Sequence, residues 1–273
     1  MEIDLQSLVK VERIARAAGR AIMKIYARTG LDVRFKDDRS PLTAADGVAH
    51  DLIVSELAGL SPEIPCLSEE DVPAFRGVNA EGRYWLIDPL DGTKEFIKRN
   101  GEFTVNIALI AHGEPVLGVV YAPVLGAMYA AAKGSGSFKL DATGRVPIRV
   151  ATHRPGMPWR VVGSRSHAGD SLEVLLQRLG AHELVCMGSS LKLCLVAEGR
   201  ADVYPRLGQT SLWDTAAAQC ILEQAGGKVV QLSGVPLTYG DASALLNPFF
   251  IAHGTSGMDW PKLFADILPS DQH

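Results

Sequence analysis

Apolar positions near the start of the chain recur at three- and four-residue steps: Leu5, Leu8, Val9, Val11, Ile14, Ala15, Ala18, Ile22, Ile25 and Tyr26. This spacing predicts an amphipathic helix over residues 4–28 whose apolar stripe needs a partner surface. LDVRFK follows as a short strand, then a Ser-Pro break, then TAADGVAHDLIVSELAGL, a second helix that Thr43-x-x-Asp46 can open as a capping box. The period then shortens to that of strands. IPCLSEE and YWLIDPLDG read as strands ending in acidic turns, and EFTVNIALIA, EPVLGVVYA, GAMYAAA and GSFKL as a meander between Glu102 and Leu140 with glycine turns. No residue from Pro115 to Ala132 is charged, a run approaching a membrane span in length. Pro115, Gly118, Pro123 and Gly126 cut it into β-branched and aromatic pieces, so paired buried strands explain it better.

After about residue 150 strands and helices alternate: WRVVGS, helix DSLEVLLQRLG, HELVCMG, helix SSLKLCLVAEG, ADVYP, helix SLWDTAAAQCILEQAGG, and KVVQL. Such alternation predicts helices layered on a sheet. The chain therefore divides into an α+β unit over 1–150 with most of the acidic candidates and an α/β unit over 151–273. No repeat, low-complexity tract or long linker separates them, so the halves should share an interface.

Hydrophobic residues make up 47% and charged residues 21% of the 273, which excludes a disordered, collagen-like or coiled-coil chain. The 27 Lys and Arg against 31 Asp and Glu give a net charge of −4. That lacks the broad basic surface that holds a nucleic-acid polymer. A small phosphorylated ligand remains open, since it needs only a local cluster of cations or metal ions. Cys66, Cys186, Cys194 and Cys220 have no zinc or redox spacing and are too few for a disulfide scaffold. Charges interrupt the first apolar stretch, unlike a signal peptide. A cytoplasmic protein with reduced thiols and no membrane insertion is expected. Monomer or homodimer stays undecided, because an apolar helix face looks the same against its own core or a second subunit.

The most informative stretch is the apolar strand from Tyr84 that runs into Asp88-Pro89-Leu90-Asp91-Gly92-Thr93. Pro89 fixes its own φ and Gly92 permits a sharp turn, so Asp88, the Leu90 carbonyl and Asp91 can converge on one side. These are hard oxygen donors, and with no His or Cys nearby they suit Mg²⁺ rather than zinc. Gly92 and Thr93 then open a helical turn whose free N–H groups suit a phosphate. A surface Asp-Gly turn is the plain alternative for that spacing. Three further acidic positions raise the weight of the metal-site reading. Glu69 in Ser68-Glu69-Glu70 ends another apolar strand; Asp214 in Trp213-Asp214-Thr215 opens an apolar helix, as first-turn charge compensation or as part of a metal cage; Asp46 is either a capping residue alone or a member of the same site.

WLIDPLDGTKEFIKRNGEFTVNIALI, with LSEE before it and GSSLKLCLVAEGRADVYPRLGQTSLWDTAAAQ after it, resembles the CysQ-type 3′(2′),5′-bisphosphate nucleotidases of the inositol monophosphatase superfamily. The resemblance spans nearly the whole chain and implies the layered α/β/α/β/α sandwich of the inositol monophosphatase-like sugar phosphatases. It also implies a magnesium-dependent, lithium-sensitive phosphatase with two or three Mg²⁺ per active site. Glu69, Asp88, Asp91 and Asp214, with the Leu90 carbonyl, match the family's metal ligands, and Thr93 and Asp46 match the pair that activates the attacking water. Two metals about 3.5–4 Å apart can lower the pKa of the nucleophilic water and stabilise the leaving oxygen. In that scheme Asp88 bridges, Glu69 and Leu90 serve the nucleophile side, and Asp91 and Asp214 serve the leaving-group side.

Substrate contacts must come from groups beyond the metals. Ser164 and His167, in Gly163-Ser164-Arg165-Ser166-His167, follow a strand and precede a helix, where backbone N–H groups and an Arg can meet a phosphate or nucleoside; an ordinary helix cap is the alternative. Ser189 and Lys192 lie in the strand-to-helix turn Gly188-Ser189-Ser190-Leu191-Lys192, which resembles the family's substrate-contacting motif, with a solvated face the alternative for Lys192. By the same resemblance Arg206 contacts the nucleotide phosphate, and Glu69, Leu90, Asp91, Gly92, Thr93 and Asp214 border the substrate. His50, His112, His153, His182, His253 and His273 carry no metal spacing and receive no role. The expected reaction is hydrolysis of 3′-phosphoadenosine 5′-phosphate to AMP, with 3′-phosphoadenylyl sulfate as a further substrate. An inositol phosphatase with the same metals, or a phosphate binder without turnover, are the competing readings. The CysQ group also includes proteins held peripherally on the cytoplasmic side of the inner membrane.

Overall fold

The computed structural model describes residues 2–28, 33–35, 41–163 and 170–264. The chain begins with helix α1 (Leu5–Tyr26), strands β1 (Val33–Phe35) and β2 (Pro41–Thr43), and helix α2 (Ala44–Leu60). Strands β3 (Cys66–Ser68) and β4 (Arg83–Asp91) flank a 3₁₀ turn at Glu69–Ala74, and α3 (Thr93–Ile97) follows. Strands β5 (Thr104–Ala111), β6 (Glu114–Ala122), β7 (Ala127–Ala132), β8 (Gly136–Asp141) and β9 (Gly144–Pro147) form the meander, and β3 to β9 lie in chain order in one seven-stranded sheet. The second half holds β10 (Trp159–Gly163), α4 (Asp170–Leu179), β11 (His182–Cys186), α5 (Leu191–Ala197), β12 (Val203–Arg206), α6 (Ala216–Gln224), β13 (Lys228–Gln231), β14 (Phe250–His253) and α7 (Trp260–Phe264). Its five-stranded sheet has the order β11-β10-β12-β14-β13.

Alternation along the strands assigns residues to layers. In β4, Trp85 and Ile87 enter the core under α1 and α2, whereas Tyr84 and Leu86 enter the core on the other face with α5 and α6. A strand buried on both faces reads as an unbroken apolar run, which is why YWLI carries no alternation in sequence. A third core, with Trp159, Val161, Leu175 and Trp260, lies between the five-stranded sheet and α4 and α7. Helices and sheets thus stack α/β/α/β/α, as expected. The middle core joins Leu86 and Tyr129 of the first half to Leu195, Ile221 and Phe250 of the second.

Four strands and helices were not foreseen from the sequence: β2, which pairs antiparallel with β1 where a Ser-Pro break was expected, and three in the rest of the chain. β9 is exposed at all four residues, so no apolar pattern announces it. α7 is a five-residue helix. β14 enters antiparallel between β12 and β13, making the second sheet mixed. The expected single helix over 211–227 is broken: Leu212–Asp214 form a 3₁₀ turn, Thr215 leaves helical geometry with φ −122°, and α6 starts at Ala216. Ser211 and Asp214 cap each other at the start of that turn, and the non-helical Thr215 ends it. Residues 115–132 form β6 and β7, and among the described residues no helix is long and apolar enough to cross a membrane.

Candidate active site

The site forms where β4 stops being regular. β3 pairs parallel with β4, placing Ser68 beside Ile87 and so bringing Glu69 level with Asp88. On the other side, Asp88 faces Asn106 while Asp91 faces Thr104, so β4 carries one extra residue at a bulge. Pro89, which cannot donate to a ladder, occupies that bulge. The Leu90 N–H donates to Asp88 Oδ1 at 3.0 Å, turning the Asp88 carboxylate back over the chain. Gly92 then adopts φ 89°, a left-handed conformation that starts α3.

One carboxylate oxygen each from Asp88, Asp91 and Asp214 lie within 4.8 Å of one another. Asp214 reaches them from the 3₁₀ turn, where its Oδ2 accepts the Ser211 N–H at 2.8 Å. Burial, and then the charges of Glu69, Asp91, Asp214 and Asp46, hold the Asp88 carboxyl well above the ordinary carboxylate range. Burial, and next the charge of Asp91, push Asp214 the same way. Glu69 stands outside the close triplet, yet its charge acts on both. Buried and half-buried oxygens that repel one another and offer no soft donor fit a hard divalent cation, which removes the repulsion that otherwise opposes their ionisation.

Asp46 and Thr93 meet beside this cluster. Asp46 Oδ2 accepts the Thr43 N–H at 2.8 Å and the Thr43 hydroxyl at 2.7 Å, which is the capping box of α2. Its Oδ1 faces the Thr93 hydroxyl at 3.4 Å, and that hydroxyl is also 3.4 Å from the Leu90 carbonyl. The two readings of Asp46 are therefore compatible, one for each oxygen. Burial raises the Asp46 carboxyl, opposed by the hydrogen bonds from Thr43.

A cavity of about 190 Å³ opens next to Asp91 and Asp214 and is also lined by Gly92, Ser189, Lys192 and Arg206. Among the described residues, Ser189 Oγ and Arg206 Nε are buried without a hydrogen-bond partner. Unpaired buried donors are costly, so both are suited to an anionic oxygen in the cavity. Lys192 is half-buried rather than solvated: its Nζ donates to the Ser189 carbonyl at 2.7 Å and stands 5.8 Å from the centre of the Tyr204 ring. Ser164 and His167 lie outside the described residues.

Four polar residues behind the cluster were not singled out from the sequence. Asp91 Oδ2 accepts the Ser190 N–H at 2.6 Å and the Ser190 hydroxyl at 2.7 Å. Asn106 Nδ2 donates to Ser190 Oγ at 2.7 Å, and Thr104 donates to Asn106 Oδ1 at 2.9 Å. Glu102 Oε2 accepts the Gly188 N–H at 2.8 Å. The available signal was Thr104 and Asn106, two polar residues at a two-residue step in the otherwise apolar TVNIALIA, hence on one buried face.

The layered sheets carry, at a strand bulge, a carboxylate cluster that fits a hard cation, and a cavity of anion size lies beside it. The sequence model of the inositol monophosphatase family matches residues 4–257, and the chain belongs to that family. It is 53% identical over 244 residues to the 3′(2′),5′-bisphosphate nucleotidase CysQ of Escherichia coli K12, covering 89% of this chain and 98% of that protein. The crystal structure of CysQ from Bacteroides thetaiotaomicron is 41% identical and superposes with a TM-score of 0.79, covering 91% of this chain and 97% of the other. An IMPase from Thermotoga maritima is 26% identical with a TM-score of 0.77, covering 96% and 98%.

Proposed function

We propose that the chain is a metal-dependent phosphatase that hydrolyses the 3′-phosphate of 3′-phosphoadenosine 5′-phosphate to give AMP and phosphate, and that it also accepts 3′-phosphoadenylyl sulfate. The observation that carries this reading is the juxtaposition of the carboxylate triplet with a cavity lined by Ser189 and Arg206, whose Oγ and Nε have no hydrogen-bond partner among the described residues. The likeness to CysQ nucleotidases favours a nucleotide over an inositol phosphate. The enzyme acts in the cytoplasm.

Asp88, Asp91, Asp214, Glu69 and the Leu90 carbonyl would hold two or three Mg²⁺, with Li⁺ competing at one position. When bound, the metal neutralises phosphate charge and makes a coordinated water more acidic. The chain's own residues do the rest. The Thr93 hydroxyl orients the attacking water and Asp46 Oδ1 takes its proton. The water oxygen bonds to phosphorus as the bond from phosphorus to the 3′ oxygen breaks; that oxygen leaves as the ribose hydroxyl by taking a proton from solvent, to which Asp46 returns the one it accepted. Ser189, Lys192 and Arg206 hold the remaining phosphate oxygens and the nucleotide, and Gly92 lets the backbone approach them closely. Ser164 and His167 are assigned to the nucleotide side.

The test compares kcat/KM for 3′-phosphoadenosine 5′-phosphate and inositol 1-phosphate with Mg²⁺, each with and without Li⁺. A nucleotide preference above about 100-fold, suppressed by Li⁺, supports the reading. A preference for inositol phosphate overturns the substrate, and no turnover of either overturns the activity.

A further inference from the structure

The turn from Gly188 to Ser190 is gripped by one carboxylate on each side of Ser189. Glu102 Oε2 accepts the Gly188 N–H at 2.8 Å, and Asp91 Oδ2 accepts the Ser190 N–H at 2.6 Å. Ser189 itself has φ 48°, a left-handed conformation that a residue with a Cβ adopts only when its surroundings impose it. Both grips belong to the first half of the chain, whereas the turn belongs to the second. The unpartnered Ser189 Oγ lies between the two grips and lines the cavity.

The second grip has a direction. Thr104 has one hydroxyl proton, and Asn106 Oδ1 at 2.9 Å is an acceptor for it, which leaves the Asn106 amide hydrogens for Ser190 Oγ at 2.7 Å. Ser190 Oγ accepts there, so its single proton goes outward. The anionic Asp91 Oδ2 at 2.7 Å accepts it more strongly than the neutral Asp214 carbonyl at 2.8 Å. Asp91 Oδ2 is thereby saturated from the turn, while no hydrogen bond among the described residues reaches its Oδ1. One residue then serves two partners: Oδ1 is left for a cation, and Oδ2 shapes the turn that meets the substrate.

We infer that Glu102 and Ser190, the latter backed by Asn106, are positioning residues that couple cation binding to phosphate-ester binding through the 188–190 turn. Ser190 acts on both events because it holds Asp91. Glu102 acts on the ester through the Gly188 N–H that it holds. This inference rests on the proposed phosphatase reading for its substrate arm, whereas its metal arm needs no turnover.

The experiment measures Mg²⁺ affinity by calorimetry without substrate, and kcat and KM for 3′-phosphoadenosine 5′-phosphate at saturating Mg²⁺. Ser190→Ala should weaken Mg²⁺ binding about tenfold or more and raise KM, with Ser190→Thr, which keeps the hydroxyl, restoring most of both. Glu102→Ala should raise KM by about tenfold with Mg²⁺ affinity within about twofold of wild type, and Glu102→Gln, which keeps a neutral acceptor, should fall between. If Glu102→Ala does not fold, Glu102→Gln carries the test with the same split and a smaller rise. Unchanged Mg²⁺ affinity in Ser190→Ala overturns the inference, as does an equal loss of Mg²⁺ affinity in the Glu102 variant. Wild-type protein that binds Mg²⁺ but does not turn over the nucleotide overturns the proposed substrate instead, and the calorimetric comparison of Ser190→Ala with wild type still decides the metal arm.

Discussion

At the residue scale, Asp91→Asn separates shape from charge. Because Oδ2 is surrounded by donors from Ser190 and Asn106, the amide of an asparagine must turn its oxygen toward them and its NH₂ toward the cation. The expected outcome is a loss of at least about 100-fold in kcat with the fold retained, read from steady-state kinetics beside circular dichroism. The carboxyls also predict how metal and pH combine. Asp214 is pushed from its ordinary 3.8 up to about 8, by burial first and then by Asp91. A raised carboxyl means that the metal-free folded state holds a proton that the unfolded state releases. Its stability contribution is therefore full below the unfolded value and is lost as pH rises through the folded one. The rise in Tm produced by Mg²⁺ should accordingly be larger near about pH 8 than near about pH 5, measured against EDTA at each pH. An equal rise at both values would remove these carboxyls from the metal centre.

At the element scale, α6 and the turn before it bring Asp214 to β4. The helix packs on β6 at Gly118, where an added Cβ would stand 2.3 Å from the Ala217 carbonyl oxygen and 2.9 Å from Cys220 Cβ. Backbone lines that contact, so no side chain can move aside. Gly118→Ala is expected to destabilise the fold by about 1–3 kcal/mol in chemical denaturation and to lower kcat by shifting the Asp214 turn. The two long helices are legible in the sequence, since α1 is set by its own stripe and the α2 start by Thr43 and Asp46, three residues apart. The stretch 211–227 reads as one helix because its apolar composition continues across the break. Ser211 and Asp214 cap the start of the first turn, and the break after it falls at Thr215, whose hydroxyl pairs with Tyr239, a residue remote in sequence.

At the scale of the whole molecule, the middle core makes the halves interdependent. A fragment ending at residue 150 would expose the face of the seven-stranded sheet that carries Tyr84, Leu86, Ile110 and Tyr129. We predict that it does not fold alone and that the full chain unfolds in one transition, with calorimetric and van't Hoff enthalpies in agreement. Two separate transitions would refute this. The sequence by itself determined the local features: helices where apolar residues recur at the helical period, strands where apolar runs end at glycine or proline, and the acidic turn from Asp88 to Asp91 as the chemically loaded segment. These depend on neighbours a few residues away. Only the tertiary structure decided that β14 enters between β12 and β13 and that Ser190 fastens Asp91 to the 188–190 turn, whereas the meeting of Asp214 with Asp88 and Asp91 was implied by the family resemblance and by no spacing within the chain. Strand pairing and convergence of buried charges are set by partners distant along the chain, and no periodicity within a segment records which partner it will meet.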